Sequence, residues 1–181
     1  MIYVAAPEPP RTPRIRIVFV VADAGQAEVY RSWLGRLGTA VDGHRVQRDG
    51  PSTADGPDIL HRLATRPAVV PTVVVAGGPA VPDAVALCHT TALPLDHLVV
   101  LGPGPPPDSS GAAALRLPVT VLVPAADGAA GVDDAVRWRH LSAKPTAVRT
   151  VACDGRALMS ATSPAVPLLA QMFGMNVAGA A

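Results

Sequence analysis

Short, continuous apolar runs alternate with amphipathic segments along most of this 181-residue chain. The runs are rich in β-branched residues and have the length of buried strands, whereas the intervening segments repeat apolar residues at helical spacing. The pattern predicts six strands, at Ile15–Val21, Val41–Gln47, Thr72–Ala76, His97–Leu101, Pro118–Val123 and Ala147–Ala152. It predicts five helices, at Gln26–Leu37, Thr53–Ala64, Val81–Thr90, Val132–Leu141 and Ser163–Phe173.

Such alternation indicates an α/β fold: a three-layer α/β/α sandwich around a mostly parallel six-stranded sheet. We expect residues 1–13 to form a flexible leader and residues 14–181 to form one domain. Asp133 and Asp134 would occupy the first turn of the fourth helix, and Ser163 with Pro164 would begin the last one. In a parallel sheet a ligand binds beyond the carboxyl ends of the strands, so the segments there are the candidate site.

Composition excludes several classes of function. The formal net charge is +1 and no basic run occurs, which argues against a nucleic-acid partner. The longest apolar runs, such as Ala68–Ala76, are too short to span a membrane, so we expect no membrane association. Two cysteines make no disulfide framework, so we expect a cytoplasmic protein with free thiols. Five histidines on separate elements match no metal-binding motif. We therefore expect neither a metal nor a cofactor.

The segment after the third strand, VVVAGGPAVPDAVALC, runs from a strand through Gly77 and Gly78 into a helix. A sharp strand-to-helix turn of this kind can expose a nucleophile. Its glycines would also suit a phosphate cradle, although neither common phosphate-loop motif is present. A plain turn is the third interpretation, and the local pattern alone favours it.

Four stretches follow one another along the chain: IRIVFVVADAGQAEVYRSW, VVVAGGPAV, LPVTVLVPAAD with VDDAVRWRHLSAKP, and VRTVACDGRALMS. Their order resembles the type II thioesterases of polyketide and nonribosomal peptide biosynthesis, which are α/β-hydrolases. The first stretch resembles the opening strand, Ala-Gly loop and Tyr-x-x-Trp helix of that family. VVVAGGPAV lies where the family has its Gly-His-Ser-Met-Gly turn. LPVTVLVPAAD, followed by VDDAVRWRHLSAKP, resembles the segment that holds the acidic residue of the catalytic triad. VRTVACDGRALMS falls where the family has its histidine. HRVQRDGP and HLVVLGPGPP match further segments.

Departures from the family pattern fall on the catalytic residues. The resemblance places Gly78 at the nucleophile position, Gly77 before it, Asp127 at the acid position and Arg156 at the base position. A serine hydrolase needs a hydroxyl nucleophile and a histidine base. Arginine stays protonated and cannot act as that base. The fold expected from the resemblance is thus α/β-hydrolase-like, and the short interval from Pro107 to Leu117 implies that the helical lid is missing.

The candidate site residues are therefore those left at the strand ends. Asp127 and Arg156 are the catalytic candidates and would face each other, either as the polar pair of a pocket or as a structural ion pair. Cys153 is a possible nucleophile, with an ordinary loop thiol as the alternative. Asp23, Gly77 and Gly78 are the binding candidates, although Asp23 is more simply a helix cap. Cys88 and His89 are expected to lie away from this edge, and Cys88 to be buried.

Three functions follow from these residues. The first is a degenerate, non-hydrolytic thioesterase-like protein that binds a carrier protein, a synthase or a pathway intermediate. The second is an enzyme that uses Asp127 and Arg156 for cyclisation or proton transfer on a pathway intermediate. The third is a structural subunit in a homo- or hetero-oligomer, suggested by the apolar surface that a missing lid would expose.

Overall fold

The structure, a computed structural model, describes residues 14–47, 70–90, 94–102, 106 and 114–175. Its strands are β1 (Ile15–Val21), β2 (Val41–Gln47), β3 (Thr72–Gly77), β4 (His97–Leu101), β5 (Val119–Pro124) and β6 (Thr146–Val151). Its helices are α1 (Ala24–Leu37), α2 (Val81–Thr90), α3 (Gly128–Arg137), α4 (Gly155–Leu158) and α5 (Ala165–Met172). Short 3₁₀ turns occupy Gly38–Ala40, Gly78–Ala80, Ala125–Asp127 and Trp138–His140.

The six strands form one sheet in the order β2-β1-β3-β4-β5-β6, and every pair is parallel. All residues of β1, β3 and β5 are buried, because helices cover both faces of the central strands. The outer strands β2 and β6 are only partly buried, and their residues are correspondingly more polar. The predicted α/β fold with a parallel six-stranded sheet is confirmed.

Two apolar cores lie on opposite faces of the sheet. On one face α1 and α5 pack against β1, β3 and β4, with Tyr30 and Trp33 at the centre of the contact. Phe19 stacks on Tyr30 with ring centroids 4.4 Å apart. On the other face α2, α3 and Trp138 pack against the alternate residues of the same strands. Trp33 and Trp138 are both fully buried, as expected of core residues.

Several helix boundaries differ from the predictions. α1 begins at Ala24 rather than Gln26, and α5 spans Ala165–Met172 rather than Ser163–Phe173. The prediction of a helix at Val132–Leu141 was wrong in its bounds, because α3 begins four residues earlier, at Gly128. Asp133 and Asp134 consequently lie beyond its first turn. The short helix α4 was not predicted, since four residues show no periodicity. The predicted leader (1–13), the predicted helix at Thr53–Ala64 and most of the predicted loop after β4 lie outside the described residues.

Candidate functional site

The sheet has its topological switch point at β1, which pairs with β2 on one side and β3 on the other. Loops that leave the carboxyl ends of such neighbouring strands diverge to opposite faces and leave a crevice between them. Here the loop after β1 (Ala22–Asp23) leads into α1, and the turn after β3 (Gly78–Ala80) leads into α2. The candidate site is thus at the position where an open parallel sheet binds ligands.

Gln26 connects the loop after β1 to the end of β3, a role that no local sequence pattern indicates. Its side-chain carbonyl accepts a hydrogen bond from the Ala22 amide at 2.9 Å. Its side-chain amide donates to the Gly77 carbonyl, 51 residues away in sequence, at 3.1 Å. Each backbone group would otherwise lack this partner at the end of a strand. Gln26 therefore holds the β1 loop at a fixed distance from the end of β3.

Gly77 and Gly78 differ sharply in their surroundings. Gly77 is buried and extended, with φ −144°. A Cβ atom there would lie 2.7 Å from the Met159 sulfur and 3.1 Å from Leu101 Cβ. Gly78 is exposed, has φ +53° and would place a Cβ no nearer than 3.8 Å to any neighbour, the Gln26 amide nitrogen. The tight turn that the sequence indicated is thus present, and its apex is open but carries no side chain.

Asp23 acts as the cap of α1. Its backbone is extended and its carboxylate accepts a hydrogen bond from the Gln26 amide at 2.8 Å. This is the usual geometry of an aspartate at a helix N-terminus. The side chain is exposed, so it can meet a ligand only from the rim of the crevice.

Asp127 lies in the 3₁₀ turn between β5 and α3, at the same edge of the sheet. Its Oδ2 atom is buried and has no hydrogen-bond partner. Buried carboxylate oxygens are normally bonded, so an unpartnered one marks a position that a bound group could satisfy. Asp127 is thus the most unusual polar group among the described strand ends.

The expected pairing of Asp127 with Arg156 is not formed. Arg156 lies in α4, is exposed, and makes no salt bridge to a described residue. The neighbour that Asp127 does have is the loop after β6, where the Ala126 amide donates to the Cys153 carbonyl at 3.3 Å. Asp154 caps α4, because its carboxylate accepts a hydrogen bond from the Ala157 amide at 2.6 Å. This cap fixes the start of the short helix that carries Arg156.

Both cysteines are poor candidates for a thiolate. Burial raises the pKa of the Cys88 thiol to about 12, and Cys88, a residue of α2, packs partly buried against the second core. Partial burial, together with the carboxylates of Asp154 and Asp127, raises the pKa of the Cys153 thiol. Low-pKa cysteines need positive surroundings, and Cys153 has negative ones.

Two kinds of arrangement are absent from the described residues, namely a metal-binding cluster and a membrane-spanning helix. No group of three or more His, Cys, Asp or Glu side chains there is arranged to hold a metal ion. Likewise, none of the helices in those ranges combines the length and the hydropathy needed to cross a bilayer.

The chain is an α/β protein with a parallel sheet, a strand–turn–helix at the switch point of that sheet and an acidic residue after a later strand. Solved structures of thioesterases are similar to it over nearly its whole length. The thioesterase RedJ of the prodiginine pathway in Streptomyces coelicolor has a TM-score of 0.66 at 19% identity, covering 95% of this chain and 90% of its own.

Two further solved structures are similar to the chain. ClbQ, from the colibactin NRPS/PKS pathway, has a TM-score of 0.67 at 13% identity and covers 89% of this chain and 97% of its own. The type II thioesterase BorB, from the borrelidin biosynthetic cluster, has a TM-score of 0.64 at 13% identity, with 93% and 95% covered. No protein-family model matches this sequence, and no curated protein matches it significantly. The chain therefore has the type II thioesterase fold that its sequence suggested.

Proposed function

We propose that this protein is a thioesterase-like member of polyketide or nonribosomal peptide biosynthesis that binds a thioester-bearing partner without hydrolysing it. The partner would be a carrier protein, a synthase or a pathway intermediate. The observation that carries the proposal is Gly78, which occupies the apex of the strand–turn–helix at φ +53° and brings no nucleophile there. The similar structures are thioesterases of such pathways, which supports the choice of ligand.

The chemistry of the other strand ends agrees with this proposal. Hydrolysis through an acyl-enzyme needs a nucleophile and a base that can take its proton. Arg156, at the base position, is permanently protonated and exposed. Cys153, the nearest thiol, has a raised pKa. What remains is open space beside Gly78, with the Gln26 amide 3.8 Å from a Cβ placed there and the exposed Asp23 on the neighbouring loop. These groups could hold a ligand, but they supply no nucleophile.

A binding experiment with matched glycine variants tests the proposal. Acyl-pantetheine and an acyl-loaded carrier protein would be titrated into the purified protein and followed by calorimetry. Gly78→Phe places a large side chain in the crevice and should weaken binding by at least tenfold. Gly38→Phe is the control, because Gly38 also has a positive φ (+67°) and open surroundings but lies at the amino edge of the sheet.

The outcomes are distinct. Binding that Gly78→Phe abolishes and Gly38→Phe preserves would support the proposal. Equal affinity in both variants, or no binding of either ligand by the unmodified protein, would contradict a carrier-binding role at this crevice. Release of free acid during the titration would contradict the non-hydrolytic part of it.

A second function is favoured by the unpartnered Oδ2 of Asp127. A buried carboxylate oxygen without a partner is available to accept a proton, as an enzyme for cyclisation or proton transfer requires. Under this alternative Asp127 would act on the intermediate and Arg156 would hold an anionic group. Asp127→Asn would then abolish turnover of the intermediate while the protein stayed folded, and unchanged turnover would exclude the alternative.

A further inference from the structure

A proline removes the usual carbonyl-binding donor from the turn at Gly78. In a hydrolase turn of this strand–turn–helix kind, the backbone N–H of the residue after the apex forms part of the hole that receives the carbonyl oxygen of the ligand. Here that residue is Pro79, which has no N–H. A ligand carbonyl at this turn therefore needs a donor from elsewhere in the crevice.

The side chain of Gln26 is fixed beside this turn. Gln26 is the third residue of α1, where a glutamine commonly bonds back to the amide of the capping residue. It instead accepts from the Ala22 amide at 2.9 Å and donates to the Gly77 carbonyl at 3.1 Å. Because the Ala22 group can only donate and the Gly77 group can only accept, these partners determine which side-chain atom is the oxygen and which is the nitrogen.

One hydrogen of the Gln26 side-chain amide remains for a ligand. A primary amide carries two N–H bonds, and the Gly77 carbonyl accepts one of those on Nε2. No described residue accepts the other. Among the described residues beyond the chain neighbours of Gly78, Nε2 is the one atom within 4 Å of the position that a Cβ on Gly78 would occupy, at 3.8 Å. The second N–H donor therefore adjoins the open space at the apex.

This donor is held in place before any ligand arrives. Both polar atoms of the Gln26 side chain are bonded to backbone at the ends of β1 and β3, and the helix that carries it is anchored by the buried Tyr30 and Trp33. A donor that is already oriented loses little conformational entropy on binding. One neutral hydrogen bond of ordinary strength then corresponds to about fivefold in affinity.

We propose that Gln26 recognises the acyl carbonyl of the ligand by donating its second Nε2 hydrogen to the carbonyl oxygen beside Gly78. This inference rests on the proposed function, because it names the residue that distinguishes a thioester from other pantetheine derivatives in the same crevice. The carbonyl oxygen only accepts a hydrogen bond, and no covalent bond forms or breaks. Gln26 thus selects a ligand without attacking it.

Two ligands that differ only in the carbonyl test this role. S-butyryl-pantetheine has the thioester carbonyl, whereas S-butyl-pantetheine has the same chain length and the same amides without it. Calorimetry on the full chain should show the thioester binding about fivefold more tightly. Gln26→Met keeps the length of the side chain but has no donor, so the two ligands should then bind equally. Gln171→Met, at an exposed glutamine of α5, is the matched control and should preserve the fivefold preference.

The ratio of the two affinities within one variant is insensitive to loosening of the β1 loop, because loosening affects both ligands alike. NMR gives a second readout on the unmodified protein. In ¹H-¹⁵N spectra one of the two side-chain amide protons of Gln26 should shift on adding S-butyryl-pantetheine and should stay in place with S-butyl-pantetheine. This readout needs no variant, so it decides the question even if melting curves show that Gln26→Met is unfolded.

The outcomes separate this inference from the proposed function. If neither ligand binds the unmodified protein, both fail. If both ligands bind but the thioester is not preferred, or if Gln26→Met retains the preference, the role of Gln26 is overturned while binding at the crevice stands. A shift of the Gln26 proton with both ligands would assign that proton to a pantetheine amide, and a preference lost in Gln171→Met would assign it elsewhere; either result also overturns the inference.

Discussion

At the scale of single residues, Gly77 and Gly78 are adjacent but serve different purposes. Gly77 is required by packing, because Met159 and Leu101 leave no room for a Cβ. Gly78 is required only by its positive φ, which L-residues adopt at a cost of about 1 kcal/mol. The turn at Gly78 therefore has open space but no side chain.

This difference predicts unequal effects of two alanine substitutions. Gly77→Ala should lower the free energy of unfolding by about 1–3 kcal/mol through overpacking, and Gly78→Ala by about 1 kcal/mol through backbone strain. Urea denaturation measures both. Adding Met159→Ala should recover part of the loss in Gly77→Ala and none of the loss in Gly78→Ala. Equal losses, or no recovery, would show that Met159 does not fill the space at Gly77.

A buried charge cluster at the amino edge of the sheet supports a pH-dependent prediction. Arg16, only 4% exposed, donates from Nε to Asp42 at 3.0 Å, and His44 contacts the other oxygen of Asp42 at 2.8 Å. Burial alone would raise the pKa of Asp42, but the hydrogen bonds and charges of Arg16 and His44 outweigh it and lower the pKa. The charged carboxylate therefore stabilises the folded state.

The direction in which the stabilisation by Asp42 changes with pH follows from that lowered pKa. The stabilisation is complete above the unfolded pKa of about 4 and is lost as pH falls through the lower folded value. Asp42→Ala should cost about 2 kcal/mol at pH 7 and clearly less at pH 3, measured by urea denaturation at both pH values. A difference between the two proteins that stays constant or grows towards pH 3 would contradict this assignment.

At the scale of elements, α1 connects the switch point to the core. Its first turn is fixed by Asp23 and Gln26, and its apolar face carries Tyr30 and Trp33. The indole nitrogen of Trp33 donates to the Ser160 carbonyl at 2.8 Å and so ties the helix to the loop after α4. The position of the β1 loop therefore depends on contacts made along the whole helix.

Asp23 is predicted to matter for stability more than for ligand binding. Asp23→Ala should lower the free energy of unfolding by about 1 kcal/mol, because the Gln26 amide loses its cap. Asp23→Ser should restore most of it, since serine also caps helices. Thermal or urea unfolding of the three proteins checks this. An Asp23→Ala variant as stable as the unmodified protein would show that the cap is dispensable. An Asp23→Ser variant as unstable as Asp23→Ala would show that the charge of Asp23, and not its cap, is what stabilises the helix.

Elements with a strong local sequence pattern were predictable from the sequence. Features that depend on a weak pattern or on tertiary contacts were not. β1, α2 and β4 have the predicted bounds, because continuous apolar runs or helical periodicity define them. β2 also has the predicted bounds, although its sequence VDGHRVQ is only a weak strand pattern. The start of α3 was not predictable, since Gly128 and Gly131 are poor helix formers. The role of Gln26 depends on Gly77, a contact that no local pattern encodes.

At the scale of the whole molecule, strand order determines where chemistry can occur. The order β2-β1-β3-β4-β5-β6 brings Asp23, Gly78, Asp127 and Cys153 to one edge although they are spread over 130 residues of sequence. That edge was predictable from the alternation of strands and helices alone. The absence of a contact between Asp127 and Arg156 was not predictable, because it depends on how Asp154 and α4 direct the chain after β6.

The proposed absence of a hydrolytic centre in this protein is tested most directly by a thioester assay. Purified protein would be incubated with acyl-pantetheine and acyl-carrier-protein thioesters, and mass spectrometry would quantify free acid and protein-bound acyl groups. Gly78→Ser with Arg156→His, which restores the missing residue types, would be run beside it. We predict no free acid above the buffer blank and no adduct on the unmodified protein. Turnover, or an acyl group on Cys153, would contradict the claim.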